Sequence, residues 1–140
     1  MRSLPIDVEA RKFVRARLLK YKMYQQEINT LRQAILFPHQ ETDENIGGGR
    51  SSLNNFETEA KAIKLVSNKQ IQVRSEFISV VNSVLSECSE EANKIIEMRY
   101  FGKHKESWAK ISVEVEGYTE DGCRKIEKKV VDRIAEQLGW

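Results

Sequence analysis

No apolar run in this sequence approaches the roughly 20 residues that a membrane-spanning helix needs, and no apolar signal core follows Arg2. Neither a membrane segment nor a secretion signal is expected, so the chain is read as cytoplasmic. Cysteine is scarce. Cys88 and Cys123 lie on the apolar stripes of separate helices and lack a second pair of ligands, which argues for buried reduced thiols rather than a disulfide or a zinc site. An excess of charge of one sign is also missing. With 23 basic against 21 acidic residues the net charge is +2, so a nonspecific nucleic-acid coat is not expected and any DNA binding falls to a local patch. Residues 1–40 hold eight Arg or Lys against three acids, whereas 41–60 hold five acids against Arg50 alone.

Catalytic constellations are lacking too. His39 and His104 stand in unrelated contexts, no Ser or Cys has a base at a useful spacing, and no carboxylates cluster in metal-ligand order. No enzyme, cofactor or metal is therefore expected. His104 reads as an exposed loop histidine, with a phosphate contact as the alternative. The glycine run Gly47–Gly49, within Asn45–Arg50, has neither a G-x-G-x-x-G nor a Walker pattern, so it reads as a flexible hinge rather than a nucleotide cradle. Sustained apolar alternation bounded by turn signals is absent as well, and an all-α fold follows.

What remains is helical periodicity. From Ile6 to Phe37 there is no Gly or Pro, and Val14, Tyr21, Ile28 and Ile35 recur every seven positions, with Leu18, Tyr24 and Leu31 filling the seam. This describes a long amphipathic helix ended by Pro38, paired either in a hairpin within the chain or across a homodimer. A polar, glycine-containing loop is expected over 39–55. Helix resumes from Phe56 to Cys88, where Phe77, Ile78, Val81, Val84, Leu85 and Cys88 form a wide apolar face. The weak helix formers Ser67 and Asn68 suggest a break near Ser67–Lys69. Hence the expected division is an N-terminal helical or oligomerisation region, 1–66, and a DNA-binding domain, 67–140, together enough for one modest core.

The last third of the chain carries the functional signal. Ser89 caps a helix with Ala92, Ile95, Ile96 and Tyr100 along one side, and Gly102 stops it. Trp108, Ile111 and Val115 stripe a second helix, Ser107–Glu116, ended by Gly117, with Tyr118 as an apolar plug in the turn. Thr119 caps a third helix that begins at Glu120, with Cys123, Ile126, Val130, Ile134 and Leu138 on its apolar side. This is a helix-turn-helix. Arg124, Lys125 and Lys128 occupy the N-terminal half of the third helix, where a major-groove helix meets base edges, while Lys103, Lys105, Ser107 and Lys129 suit flanking phosphates. Against this, charges opposite an apolar stripe are also what a solvated surface helix shows. Glu120, Asp121 and Glu127 dilute the positive face.

Asp43-Glu44-Asn45-Ile46-Gly47-Gly48, Ile96-Glu97-Met98-Arg99-Tyr100-Phe101, Trp108 and Arg133-Ile134-Ala135-Glu136-Gln137-Leu138-Gly139 together resemble the RinA-type phage late-gene transcriptional activators, a group that includes the ArpU-like regulators. The resemblance runs from about Leu18 to Trp140. It implies a phage or prophage regulator that binds double-stranded promoter DNA, works with RNA polymerase and activates packaging and structural genes, with a C-terminal part similar to region four of sigma factors. By position, Thr119 matches the family's cap, and Arg124, Lys125 and Lys128 match its basic positions. Gly122 departs from its usual small side chain, so a loose first turn is expected. A small terminase-like packaging protein is the second reading, and a scaffold with a merely solvated basic face the third.

Overall fold

The computed structural model describes residues 4–37 and 50–140, with backbone alone over 50–57. His39, the Asp43–Gly48 motif and the Gly47–Gly49 run lie outside the described residues. Six α-helices appear among the described residues: α1 (Val8–Leu18), α2 (Tyr21–Leu36), α3 (Arg50–Ser86), α4 (Glu90–Ile96), α5 (Trp108–Glu114) and α6 (Glu120–Gln137), with a π-helical turn, Glu97–Phe101, extending α4. No strand occurs among the described residues. The protein is all-α. None of the described helices is long and apolar enough to cross a membrane.

The chain packs as two compact units, Met1–Met23 with Phe77–Trp140, and Tyr24–Glu76. In the first, α5 and α6 form the helix-turn-helix, with α4 and α1 both packed on α6. Local chemistry starts each helix. The Asp7, Ser89, Ser107 and Thr119 side chains accept hydrogen bonds from the backbone N–H of Ala10, Ala92, Lys110 and Gly122, satisfying donors that a helix start leaves orphaned. Gly117, at φ +86°, then turns the chain between α5 and α6 in a region that favours glycine. Ile95, Ile111, Val115 and Cys123 are sealed at the centre, with Met98, Trp108 and Ile126 against them. Burying each large aliphatic side chain contributes about 1.5–3 kcal/mol, so these few residues fix the α4–α5–α6 arrangement.

In the second unit Tyr24 and Ile28 of α2 are buried. Arg74 of α3 bridges to Glu27 and lies 5.6 Å over the Tyr24 ring. Ile63, Leu65, Val66 and Val73 remain exposed on α3.

Several expectations need correction. The helix read over Ile6–Phe37 is two helices, parted at Leu19–Lys20, where the Lys20 N–H tightens onto the Arg17 carbonyl at 3.0 Å. Beyond the break, Tyr21 stacks on Phe101 at 4.5 Å and donates to Asn82. Tertiary contacts thus override an uninterrupted helical sequence. Of the heptad stripe, Val14, Leu18, Tyr24 and Ile28 are buried within the chain, whereas Tyr21, Leu31 and Ile35 are half-buried. Conversely, α3 runs unbroken through Ser67–Lys69, and Ser67 itself is buried. Poor helix formers cost only about 0.5 kcal/mol each, which packing offsets. Helix α3 starts at Arg50, so 50–55 is not loop. Tyr118 is exposed rather than a plug, and of the two free thiols Cys123 is buried whereas Cys88 is only half-buried.

Candidate nucleic-acid interface

Helix α6 buries Cys123, Glu127, Val130, Val131, Ile134 and Ala135. With a repeat of 3.6 residues, the opposite face carries Lys125, Lys128 and Lys129, all exposed. Among the described residues these three lysines, and Lys103 and Lys105 in the segment before α5, take part in no ion pair. Their ammonium groups are available to an external anion. Ser107 and Thr119 begin α5 and α6, and each hydroxyl accepts from a backbone N–H, at 3.2 and 3.1 Å. A hydroxyl has two lone pairs and one hydrogen, so each can still donate to a phosphate oxygen.

Arg124 is placed differently from its basic neighbours. Its guanidinium bonds Asp121 at 3.2 Å, approaches Glu120 at 3.7 Å and lies 5.8 Å from the centre of the Trp108 ring. Base reading by Arg124 requires it to leave these acids, which are themselves exposed enough to rehydrate. Gly122, whose lost side chain suggested a loose first turn, has a local use. A Cβ there would come within 3.3 Å of the capping Thr119 Oγ1, so glycine leaves the cap unobstructed. His104 is exposed, as a loop histidine should be. Arg133 is not a free surface cation, because it pairs with Glu87 at the end of α3.

Glu127, grouped by residue type with the surface acids Glu120 and Asp121, is buried instead. Glu127 is 3% exposed, receives Arg15 Nη2 at 2.9 Å and Nε at 3.1 Å, and accepts a 2.6 Å bond from the Tyr100 hydroxyl. One turn along, Arg11 bridges Asp132 at 2.7 Å. These two arginines lie on α1, so that helix is fastened to the buried side of α6. A signal was present: Glu127 stands four residues after Cys123 and three before Val130, inside the apolar stripe. Its partners were invisible locally.

The network makes a prediction about pH. Burial, then the neighbouring Glu127 charge and the bond donated to it, hold the Tyr100 hydroxyl well above the usual tyrosine value. The folded chain keeps this proton where the unfolded chain releases it, at about pH 10. The associated stability is therefore fully present below about pH 10 and is lost as pH rises above it. Tyr100→Phe is expected to flatten that alkaline loss, measured as urea midpoints of both proteins at about pH 8 and about pH 11. An equal alkaline loss in the variant would assign it to other groups.

No solved structure matches this chain. It is similar to the transcriptional activator rinA of Staphylococcus phage phi11, with 27% identity over 122 residues, 87% of this chain and 85% of that protein. Residues 18–136 match the family described as "Protein of unknown function (DUF722)", the RinA family domain, and the chain belongs to that family.

Proposed function

We propose that this protein is a phage or prophage transcriptional activator that reads promoter DNA in the bacterial cytoplasm and works with RNA polymerase on late packaging and structural genes. The observation that carries this reading is the exposed, unpaired lysine face at the capped N-terminal half of α6. Helix α6 enters a major groove, where Lys125 and Lys128, with Arg124 once released from Asp121 and Glu120, meet base edges. Lys103, Lys105, Ser107, Thr119 and Lys129 hold flanking phosphates and fix the register. One recognition helix reads few base pairs, so two copies on adjacent half-sites are the working form. Their contact uses a surface other than Val14, Leu18, Tyr24 and Ile28, which are already buried.

The test is binding to a duplex carrying a late promoter of the same phage and to a scrambled duplex, across a salt series. Each good base contact contributes about 1–3 kcal/mol of discrimination. The triple change Arg124→Ala, Lys125→Ala, Lys128→Ala is therefore expected to erase promoter preference, with a loss of roughly 100-fold or more on the promoter. Equal and strongly salt-dependent binding of both duplexes by wild type, little altered by the triple change, would overturn the recognition-helix assignment and favour packaging.

A further inference from the structure

A second basic feature lies beside the recognition helix rather than on its outer face. A cavity of about 340 Å³ is lined by Arg15, Arg99, Lys105, Arg124, Trp108 and Glu127, among others. Four cations and one carboxylate line it. That carboxylate is already engaged by Arg15 and Tyr100. Arg99 has no carboxylate partner among the described residues: its Nη1 donates to the Glu106 carbonyl at 2.7 Å, and its Nε is buried without a partner. Lys105 has no ion pair there either. The Arg99 and Arg124 guanidinium carbons lie 4.5 and 5.8 Å from the centre of the Trp108 ring, so an indole holds both cations near the cavity wall. Arg15 and Arg124 are compensated by Glu127 and by Asp121 and Glu120, but Arg99 and Lys105 are not, and gathering uncompensated like charges in a concave, partly desolvated site is unfavourable unless an anion joins them. Guanidinium forks match the paired oxygens of a phosphate group.

We propose that this cavity is a phosphate-binding site. Lys105 and Arg124 reach solvent at its edge, Arg99 supplies positive charge from inside, and Trp108 keeps the guanidinium planes in place. The inference rests on the proposed function only for one of its two sources of phosphate, the DNA backbone beside α6. The other source is a small phosphorylated molecule. An occupant would compete for Arg124 with Asp121 and Glu120, so filling the cavity and presenting α6 to DNA are coupled through one side chain.

The experiment uses the full chain carrying Trp140→Phe, which leaves Trp108 as its tryptophan reporter. Inorganic phosphate and adenosine monophosphate are titrated up to about 10 mM, followed by Trp108 fluorescence, and a nonpromoter duplex is titrated in parallel across salt. Each is repeated with Arg99→Gln, with Lys105→Gln, whose site is exposed and safe for folding, and with Arg99→Lys, which keeps the charge but not the fork. Saturable binding of a free phosphate compound, weakened about tenfold or more by Arg99→Gln or Lys105→Gln, supports the site with a small ligand. No free-ligand binding, but duplex affinity lowered about tenfold and a salt slope reduced by about one in both variants, supports a backbone phosphate. Fluorescence unmoved by either compound, together with unchanged duplex affinity and slope, overturns the site. Should Arg99→Gln fail to fold, the wild-type titrations and Lys105→Gln decide. Promoter preference lost in the α6 triple change while these readouts stay flat would sink this inference alone. Phosphate binding without any DNA binding would sink the DNA reading alone.

Discussion

Deleting residues 1–20 is expected to unfold the helix-turn-helix unit, not merely to weaken association between copies. Ala10, Val14 and Leu18 of α1 are buried, the last two fully, and α1 packs on α6. Losing a buried aliphatic side chain forfeits about 1.5–3 kcal/mol, and the deletion also strips Glu127 and Asp132 of their arginines. The combined loss approaches the whole stability of a domain, about 5–15 kcal/mol. Circular dichroism and urea unfolding of the truncated chain check this, with collapse of the cooperative transition as the expected result. A truncated protein that unfolds with an unchanged midpoint would show that α1 is a detachable arm.

The second large effect is expected at Arg15. Arg15→Ala leaves Glu127, 3% exposed, with only the Tyr100 hydroxyl for company, and stranding a buried charge of this kind costs about 3 kcal/mol. The reverse change should be milder. Arg15 is 39% exposed and can rehydrate when Glu127→Gln removes the charge, and glutamine still accepts from Tyr100, so about 1 kcal/mol is expected. The asymmetry is the test. Equal losses for the two variants would mean that Glu127 is neither as buried nor as dependent on Arg15 as its surroundings indicate.

The parts of this fold that could be read from the sequence are those whose causes are local. Thr119, Ser107 and Ser89 announce helix starts because their hydroxyls act three residues away, and Gly117 marks the turn because few other residues accept its backbone angles. Apolar spacing likewise located Ile111, Val115, Cys123 and Ile134 in the core. What escaped depends on distant partners. Glu127 meets Arg15 across 112 positions and Tyr100 across 27, and a charge is assigned to the surface by default unless its partner is known. The break at Leu19–Lys20 carries no glycine or proline, and the residues that flank it, Leu18 and Tyr21, are held by contacts made elsewhere in the chain. Arg124 was legible as a cation on the right turn of α6, but not as one restrained by Asp121 and Trp108.

The clasp between α1 and α6 also sets a timetable for synthesis. Arg11 and Asp132 are separated by 121 positions, so α1 leaves the ribosome well before its partner helix has been made. At about 5–20 residues per second, α1 spends roughly 6–24 s with Val14 and Leu18 uncovered. Contacts this far apart along a chain also close slowly, because loop entropy must be overcome before they gain anything. The nascent chain therefore exposes an apolar helical segment until α6 emerges, a natural target for chaperones.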